Sequence, residues 1–265
     1  CKPSKCEFMK TEISYLGHIV DQHGLRPDPR KVKVVEDWKE PESLHDLRGF
    51  LGLCNYFRKF IKDYSTIAAP LNDLTKKDTD FKDTFKEVHL RSFEALKTAL
   101  TSAPVLILPD FTKPFELISD ASLLGTGAVL LQEGRVVAYT SRKFSSAERN
   151  YTTTEQEMLG VVTALEEWRC YFGASSLTLV TDHNPLKYFD TKIQLSRRLA
   201  RWADFMSQFT YTWEYRAGRT NIADPLSRNP ALAALIARVT AQAPRKRQPP
   251  PPSTVTPQVD STSVH

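Results

Sequence analysis

Between Pro104 and Arg228 the chain carries five short strand-like runs, FELIS, GAVLLQ, VVAYTS, LTLVTD and YTWEY. Runs of this length, rich in apolar and β-branched residues, read as strands that must share a sheet to be buried. Three come in succession. The others alternate with two long helical patterns, TTEQEMLGVVTALEEWRCYF and SRRLARWADFMSQF. This order predicts an α/β fold with a mixed sheet and helices packed on it.

The rest of the chain divides around that block. Residues 1–75 read as mainly helical. In DPRKVKVVEDW, Asp28 is an N-cap, Pro29 opens the helix and Pro41 stops it. In SLHDLRGFLGLCNYFRKFIKDY, Ser43 is the expected cap. Leu47, Phe50, Leu51, Cys54, Phe57, Phe60, Ile61 and Tyr64 follow it at helical spacing. Arg48, Arg58, Lys59 and Lys62 flank that stripe and read as a solvated face. Residues 76–103 form a polar, then helical, connector. Residues 229–265 include PRKRQPPPPSTVTPQ, a composition that buries too little apolar surface to fold, so a flexible tail is expected.

Four acids stand out by position. FELIS runs into Asp120 and LTLVTD ends on Asp182, so two strands stop on a carboxylate. In TTEQEMLGVVTALEEW a helical wheel puts Val161, Leu165 and Trp168 within roughly 80° of Glu157, while Glu155 and Glu166 fall roughly opposite. Glu157 therefore edges the core-facing stripe in the first turn. Asp224, ahead of Pro225, opens a last helix. Each has an ordinary structural alternative. Asp120 and Asp182 fit turns or loops, Glu157 a capping box with Thr154, and Asp224 an N-cap. Gathered at one end of a sheet, four carboxylates would repel strongly unless they held divalent cations. All-oxygen ligands suit Mg²⁺ or Mn²⁺ rather than zinc. Two such ions roughly 4 Å apart clamp the attacking and leaving oxygens of a phosphodiester.

Composition narrows the classes without choosing among them. The net charge of +5 permits a polyanionic partner and does not demand one. The four cysteines are scattered, without paired metal spacing, and a reduced intracellular setting, cytoplasmic or nuclear, is expected. No run approaches the roughly 18 apolar residues of a membrane span, and no signal peptide is visible. The chain begins with Cys1, and a piece of a longer protein is expected.

The motifs SDAS, GTGAVLLQ, VVAYTSRKFSSAERNYTTTEQEML, TDHNPLKY and YRAGRTNIADPLSR closely resemble the ribonuclease H domain of gypsy-type retrotransposon polyproteins. Upstream, KCEF, YLGHIVDQHGLRPDPRKV, LRGFLGLCNYFRKFIKDYSTIAAPLNDLTKK and APVLILPDFTKPF resemble the end of the reverse transcriptase in the same polyproteins: last palm strands, thumb and connection. The resemblance implies a ribonuclease H-like five-stranded mixed sheet with flanking helices, behind a mainly helical thumb segment. It implies that Asp120, Glu157, Asp182 and Asp224 hold two Mg²⁺ ions, with Mn²⁺ as a substitute, and cut the RNA strand of an RNA–DNA hybrid. It matches Tyr15, Leu16, Gly17 and His18 to the turn that holds the primer end. It puts Arg197, Arg198 and Arg201 on a helix near the hybrid; their ordinary alternative is a solvated face. The partners implied are the hybrid and the remainder of the Pol polyprotein, with no membrane.

Three features depart from the wider pattern. No Tyr-x-Asp-Asp motif occurs, so polymerisation is not expected of these residues. YRAGRTN lacks the loop histidine of many ribonucleases H, as gypsy-type domains commonly do, and Tyr215 or Arg216 fall in that neighbourhood. FKDTFKEVHLRSF lacks the usual connector tryptophan. Two rival expectations are an inactive or co-opted relic that only binds nucleic acid, and a structural connection domain. The presence of all four acids disfavours both.

Overall fold

A computed structural model describes residues 9–76, 81–122, 124–173, 175–187, 189 and 195–216. Asp224 and the expected tail lie outside the described residues. The described residues start with a feature that helical periodicity did not foretell, though the resemblance implied palm strands there: a small antiparallel sheet. Its strands β1 (Glu12–Tyr15), β2 (His18–Asp21) and β3 (Gly24–Pro27) pair in sequence order. Helix α1 (Pro29–Glu36) follows, and the Asp28 carboxylate caps it by accepting the Arg30 N–H at 2.9 Å. The helix closes at Asp37, before Pro41, so the proline is not what stops it.

Ser43 caps α2 (Leu44–Tyr56) as expected. The continuous helix expected through Tyr64 is instead broken. A 3-10 turn covers Arg58–Phe60, and Asp63 takes a left-handed conformation at φ 54° before α3 (Tyr64–Leu74) begins. Phe57, Phe60, Ile61 and Tyr64 are buried all the same. A single turn, α4 (Phe81–Thr84), leads to α5 (Glu87–Thr101). The latter sends Phe93, Leu96 and Leu100 into the core built on Phe50, Ile67 and Leu71. The Phe50 and Phe93 rings lie 4.4 Å apart.

The five expected strands all form. Strands β4 (Phe115–Ala121), β5 (Gly125–Gln132) and β6 (Arg135–Lys143) precede α6 (Thr153–Glu167) and α7 (Arg169–Phe172). Then come β7 (Leu177–Thr181), α8 (Asn184–Lys187), α9 (Arg197–Met206) and β8 (Tyr211–Tyr215). The sheet order is β6-β5-β4-β7-β8. β4, β5 and β6 are antiparallel, while β7 runs parallel to both β4 and β8. This is a mixed five-stranded sheet, and α6 lies on one face. There Leu117, Leu130 and Leu179 pack with Met158, Val161 and Leu165. On the other face Ile118, Val129, Leu131 and Val180 form a second, smaller cluster.

The two sections are bonded directly to one another. Leu25 and Leu106 exchange backbone hydrogen bonds of 2.7 and 2.8 Å, and Ile107 N–H donates to the Val136 carbonyl of β6 at 2.8 Å. Ser65 N–H donates to Ser141 Oγ at 2.8 Å, and Lys143 pairs with Asp73 at 2.9 Å. Gly24 makes this docking possible. Its φ is +137°, and a Cβ there would lie 2.1 Å from the Leu106 carbonyl oxygen. Gly24→Val is therefore expected to destabilise the chain by about 3 kcal/mol, from backbone strain plus the clash. A shift in the urea midpoint measures it. An unchanged midpoint would mean that the Leu25–Leu106 pairing is dispensable.

Candidate active site

Strands β4 and β7 run side by side in parallel, with Ile118 opposite Val180. Two residues further along each strand lie Asp120, within β4, and Asp182, the first residue past β7. Parallel registry thus brings both acids to the same level at the same sheet end. The third acid arrives from above the sheet. Glu157 sits in the second turn of α6 and is only 7% exposed. The backbone N–H of Ala121, the residue after Asp120, lies near enough to favour its charged form slightly. Burial, and then the neighbouring charges of Asp120 and Asp182, push the Glu157 carboxyl up to about 8.

Helix α6 reaches this position because Gly160, one turn past Glu157, has no side chain. A Cβ on Gly160 would stand 2.3 Å from Thr126 Oγ1 and 2.5 Å from Ser119 Oγ. Helix and sheet are therefore in direct contact beside the acids. Gly160→Val is expected to lift α6 from β4 and β5 and to cost about 2 kcal/mol or more through overpacking. Thermal unfolding reads this directly, and an unshifted transition would show that the helix has room to spare.

The first turn of α6 is capped differently from the expected alternative. Thr152, not Thr154, is the N-cap, and Glu155 completes the capping box. Glu157 is thereby left without a capping task. Thr154 instead bonds His183 Nε2 at 2.9 Å through its hydroxyl. This contact ties the end of β7 to α6, and sequence reasoning passed His183 over although it adjoins Asp182.

Among the described residues no group of three or more His, Cys, Asp or Glu side chains closes into a metal-binding arrangement. The donor chemistry nonetheless fits a hard divalent cation. Asp120, Asp182 and buried Glu157 are all oxygen donors, near enough to oppose one another's charge, which a cation would relieve.

The other sequence candidates fall in two places. Tyr15 and His18 close a two-residue hairpin loop in which Leu16 (φ 48°) and Gly17 (φ 74°) are both left-handed. A leucine in that conformation costs about 1–2 kcal/mol. Its carbonyl is held by the Tyr56 hydroxyl and by His18 Nδ1 at 3.0 Å. Tyr15 and Leu16 are exposed, whereas His18 is buried among the rings of Tyr56, Phe57 and Phe60. Burial, then the charge of Lys59, holds the His18 pKa below its ordinary value. On α9, Arg197 and Arg201 are exposed. Arg198 is turned onto Glu155 and the Tyr151 ring.

With this geometry in hand, comparison with known proteins is decisive for kinship. Residues 110–209 match the RNase H-like domain found in reverse transcriptase. The retrovirus-related Pol polyprotein from transposon 297 of Drosophila melanogaster is 40% identical over 225 residues, 84% of this chain. This chain is homologous to part of the retrotransposon Pol polyproteins. The gypsy polyprotein of the same fly is 37% identical over 236 residues, and the Tf2-3 polyprotein of Schizosaccharomyces pombe 37% over 235. The chain spans 21%, 23% and 18% of those three relatives, about a fifth of their length. Among solved structures, the foamy viral protease-reverse transcriptase in complex with RNA/DNA hybrid aligns at TM-score 0.68 and 22% identity. It covers 83% of this chain and 31% of its own. The double-stranded DNA complex of the dRH form aligns at TM-score 0.66 and 23% identity, covering 78% and 38%. The sheet, its helices and the preceding helical segment thus have the reverse transcriptase–ribonuclease H fold. Among the described residues no helix is long and apolar enough to cross a membrane.

Proposed function

We propose that the chain is the ribonuclease H portion of a retrotransposon reverse transcriptase and hydrolyses the RNA strand of RNA–DNA hybrids. The observation that carries the reading is the meeting of Asp120, Asp182 and buried Glu157 at one sheet end, close enough for the two aspartates to push the Glu157 carboxyl up. Asp120, Glu157, Asp182 and Asp224 would hold two Mg²⁺ ions, or Mn²⁺ in their place. These ions supply positive charge to the attacking water oxygen and the leaving 3′ oxygen of an in-line displacement.

The chain's own part is placement. β4 and β7 hold Asp120 and Asp182 at fixed separation, and α6 brings Glu157 down beside them through Gly160. No protein nucleophile is needed. Strand choice rests on the 2′-hydroxyls of the RNA, which line the minor groove of the hybrid. The exposed Arg197 and Arg201, and the Tyr15–His18 turn, are the proposed nucleic-acid contacts, so binding should weaken with salt. The hybrid in the foamy viral complex and the greater length of the relatives support two partners: an RNA–DNA hybrid and the rest of a Pol polyprotein.

The test is a hybrid labelled on either strand, incubated with this chain and Mg²⁺. RNA shortening with intact DNA, abolished by a chelator, is the expected result. Binding of the hybrid without cutting would make the chain a nucleic-acid-binding relic.

A further inference from the structure

The first turns of α6 and α9 are joined by a polar lock. One oxygen of Glu155 accepts the N–H and hydroxyl of Thr152, at 3.0 and 3.1 Å, within the capping box. The other accepts Arg198 Nη1 at 2.7 Å. The Glu155 side chain is 12% exposed, so this pair is partly withdrawn from water. The Arg198 guanidinium also lies over the Tyr151 ring, 3.7 Å from its centroid. Trp202, one turn along α9, packs its ring against the same tyrosine at 6.3 Å. Arg198 and Trp202 therefore grip Tyr151 and Glu155 from a single face of α9, and Glu157 lies two residues beyond Glu155.

The first turn is the part of a helix with the fewest intrahelical bonds. Here it also adjoins a load, because Glu157, in the second turn, faces two like charges at the sheet end. Repulsion on Glu157 would push the start of α6 outward unless something outside the helix held it. A small displacement at this point would be costly, since misplacing a reacting group by about 1 Å loses on the order of 100-fold in rate. We propose that Arg198 is a positioning residue of the nuclease site, holding the first turn of α6 through Glu155 and Tyr151 so that Glu157, in the next turn, stays in place beside Asp120 and Asp182. The inference rests on the ribonuclease reading above. It gives Arg198 an inward task, distinct from the phosphate contacts proposed for Arg197 and Arg201.

Three variants of the full chain test it: Arg198→Ala, Glu155→Gln and the pair together. Glutamine still serves a capping box but loses the charge that holds Arg198. On an RNA–DNA hybrid with Mg²⁺, each single variant is expected to lower kcat about tenfold, and the double no further, as for residues acting as a unit. KM and the salt dependence of hybrid binding should stay unchanged. Amide exchange across 152–157 should quicken about tenfold in every variant, with or without substrate. The proposal is overturned if Arg198→Ala raises KM and reduces the salt slope by about 0.9 while Glu155→Gln is inert, because Arg198 would then touch a phosphate. Should the wild-type chain leave hybrids intact, the ribonuclease reading fails and the exchange data alone judge the lock. Faster exchange upholds it, and unchanged protection in both single variants overturns it.

Discussion

Asp120→Asn is expected to remove RNA-strand cleavage by about 1000-fold or more while leaving hybrid binding intact. The side chain keeps its shape and its place in β4, so the sheet has no reason to rearrange. What it loses is the negative charge that a divalent ion requires. Charge stabilisation by such an ion is worth several kcal/mol in the transition state, and about 4 kcal/mol corresponds to about 1000-fold in rate. Asp182→Asn should behave alike, because β7 carries it to the same level as Asp120 on the adjacent parallel strand. Gel analysis of a labelled hybrid at saturating Mg²⁺ measures the loss, and a filter-binding isotherm checks retention. Cleavage within tenfold of wild type in the Asp120 variant would remove that residue from the chemistry.

These two strand acids were legible in the sequence because each follows an apolar run, and a run that stops on a charge marks where a strand leaves the core. Glu157 was legible for a different reason. Its angular distance from Val161, Leu165 and Trp168 on an ideal helix put it on the buried side, where it is found. The break between α2 and α3 was not legible, and the reason is physical. Phe57, Phe60, Ile61 and Tyr64 all reach the core, so the apolar rhythm continues across a backbone that has left the helix at Asp63. Hydrophobic spacing reports which side chains are inside and is blind to how the chain turns between them. Strands before α1 were implied only by the resemblance, as palm strands, and not by periodicity, because β1 to β3 have four residues each and every residue of β1 is exposed, so no alternation shows. The capping box slipped by two positions because Thr152, Thr153 and Thr154 are chemically equivalent caps. Only the reciprocal bond with Glu155 distinguishes them. Arg198 shows the deeper limit. Its partners lie more than forty positions earlier, and no local pattern separates a solvated arginine from one turned inward.

Glu157→Gln should make the metal-free protein more stable while ending its cleavage. In the folded chain the Glu157 carboxyl titrates at about 8, against an ordinary value of 4.5, because burial and two neighbouring carboxylates oppose its charge. Below about pH 4.5 folded and unfolded forms both carry the proton, and the charge penalty is absent. As the pH rises toward 8 the unfolded chain ionises freely while the folded one must hold its proton or bear the charge, so wild-type stability falls across that window and levels off above it. Glutamine never ionises, and it keeps the size and shape of the buried side chain. At pH 7 the variant is therefore expected to gain on the order of 3 kcal/mol, and below pH 4.5 next to nothing. Mg²⁺ should reverse the ranking. A cation that binds only the folded wild-type site adds about 4.1 kcal/mol at a thousandfold excess over its Kd, and the variant, lacking a ligand charge, should respond weakly. Urea unfolding from pH 4 to 9, with and without Mg²⁺, separates these effects. Equal stability of the two proteins at pH 8 without metal would mean that Glu157 does not face Asp120 and Asp182 in solution. An equal Mg²⁺ response would mean that the ion binds elsewhere.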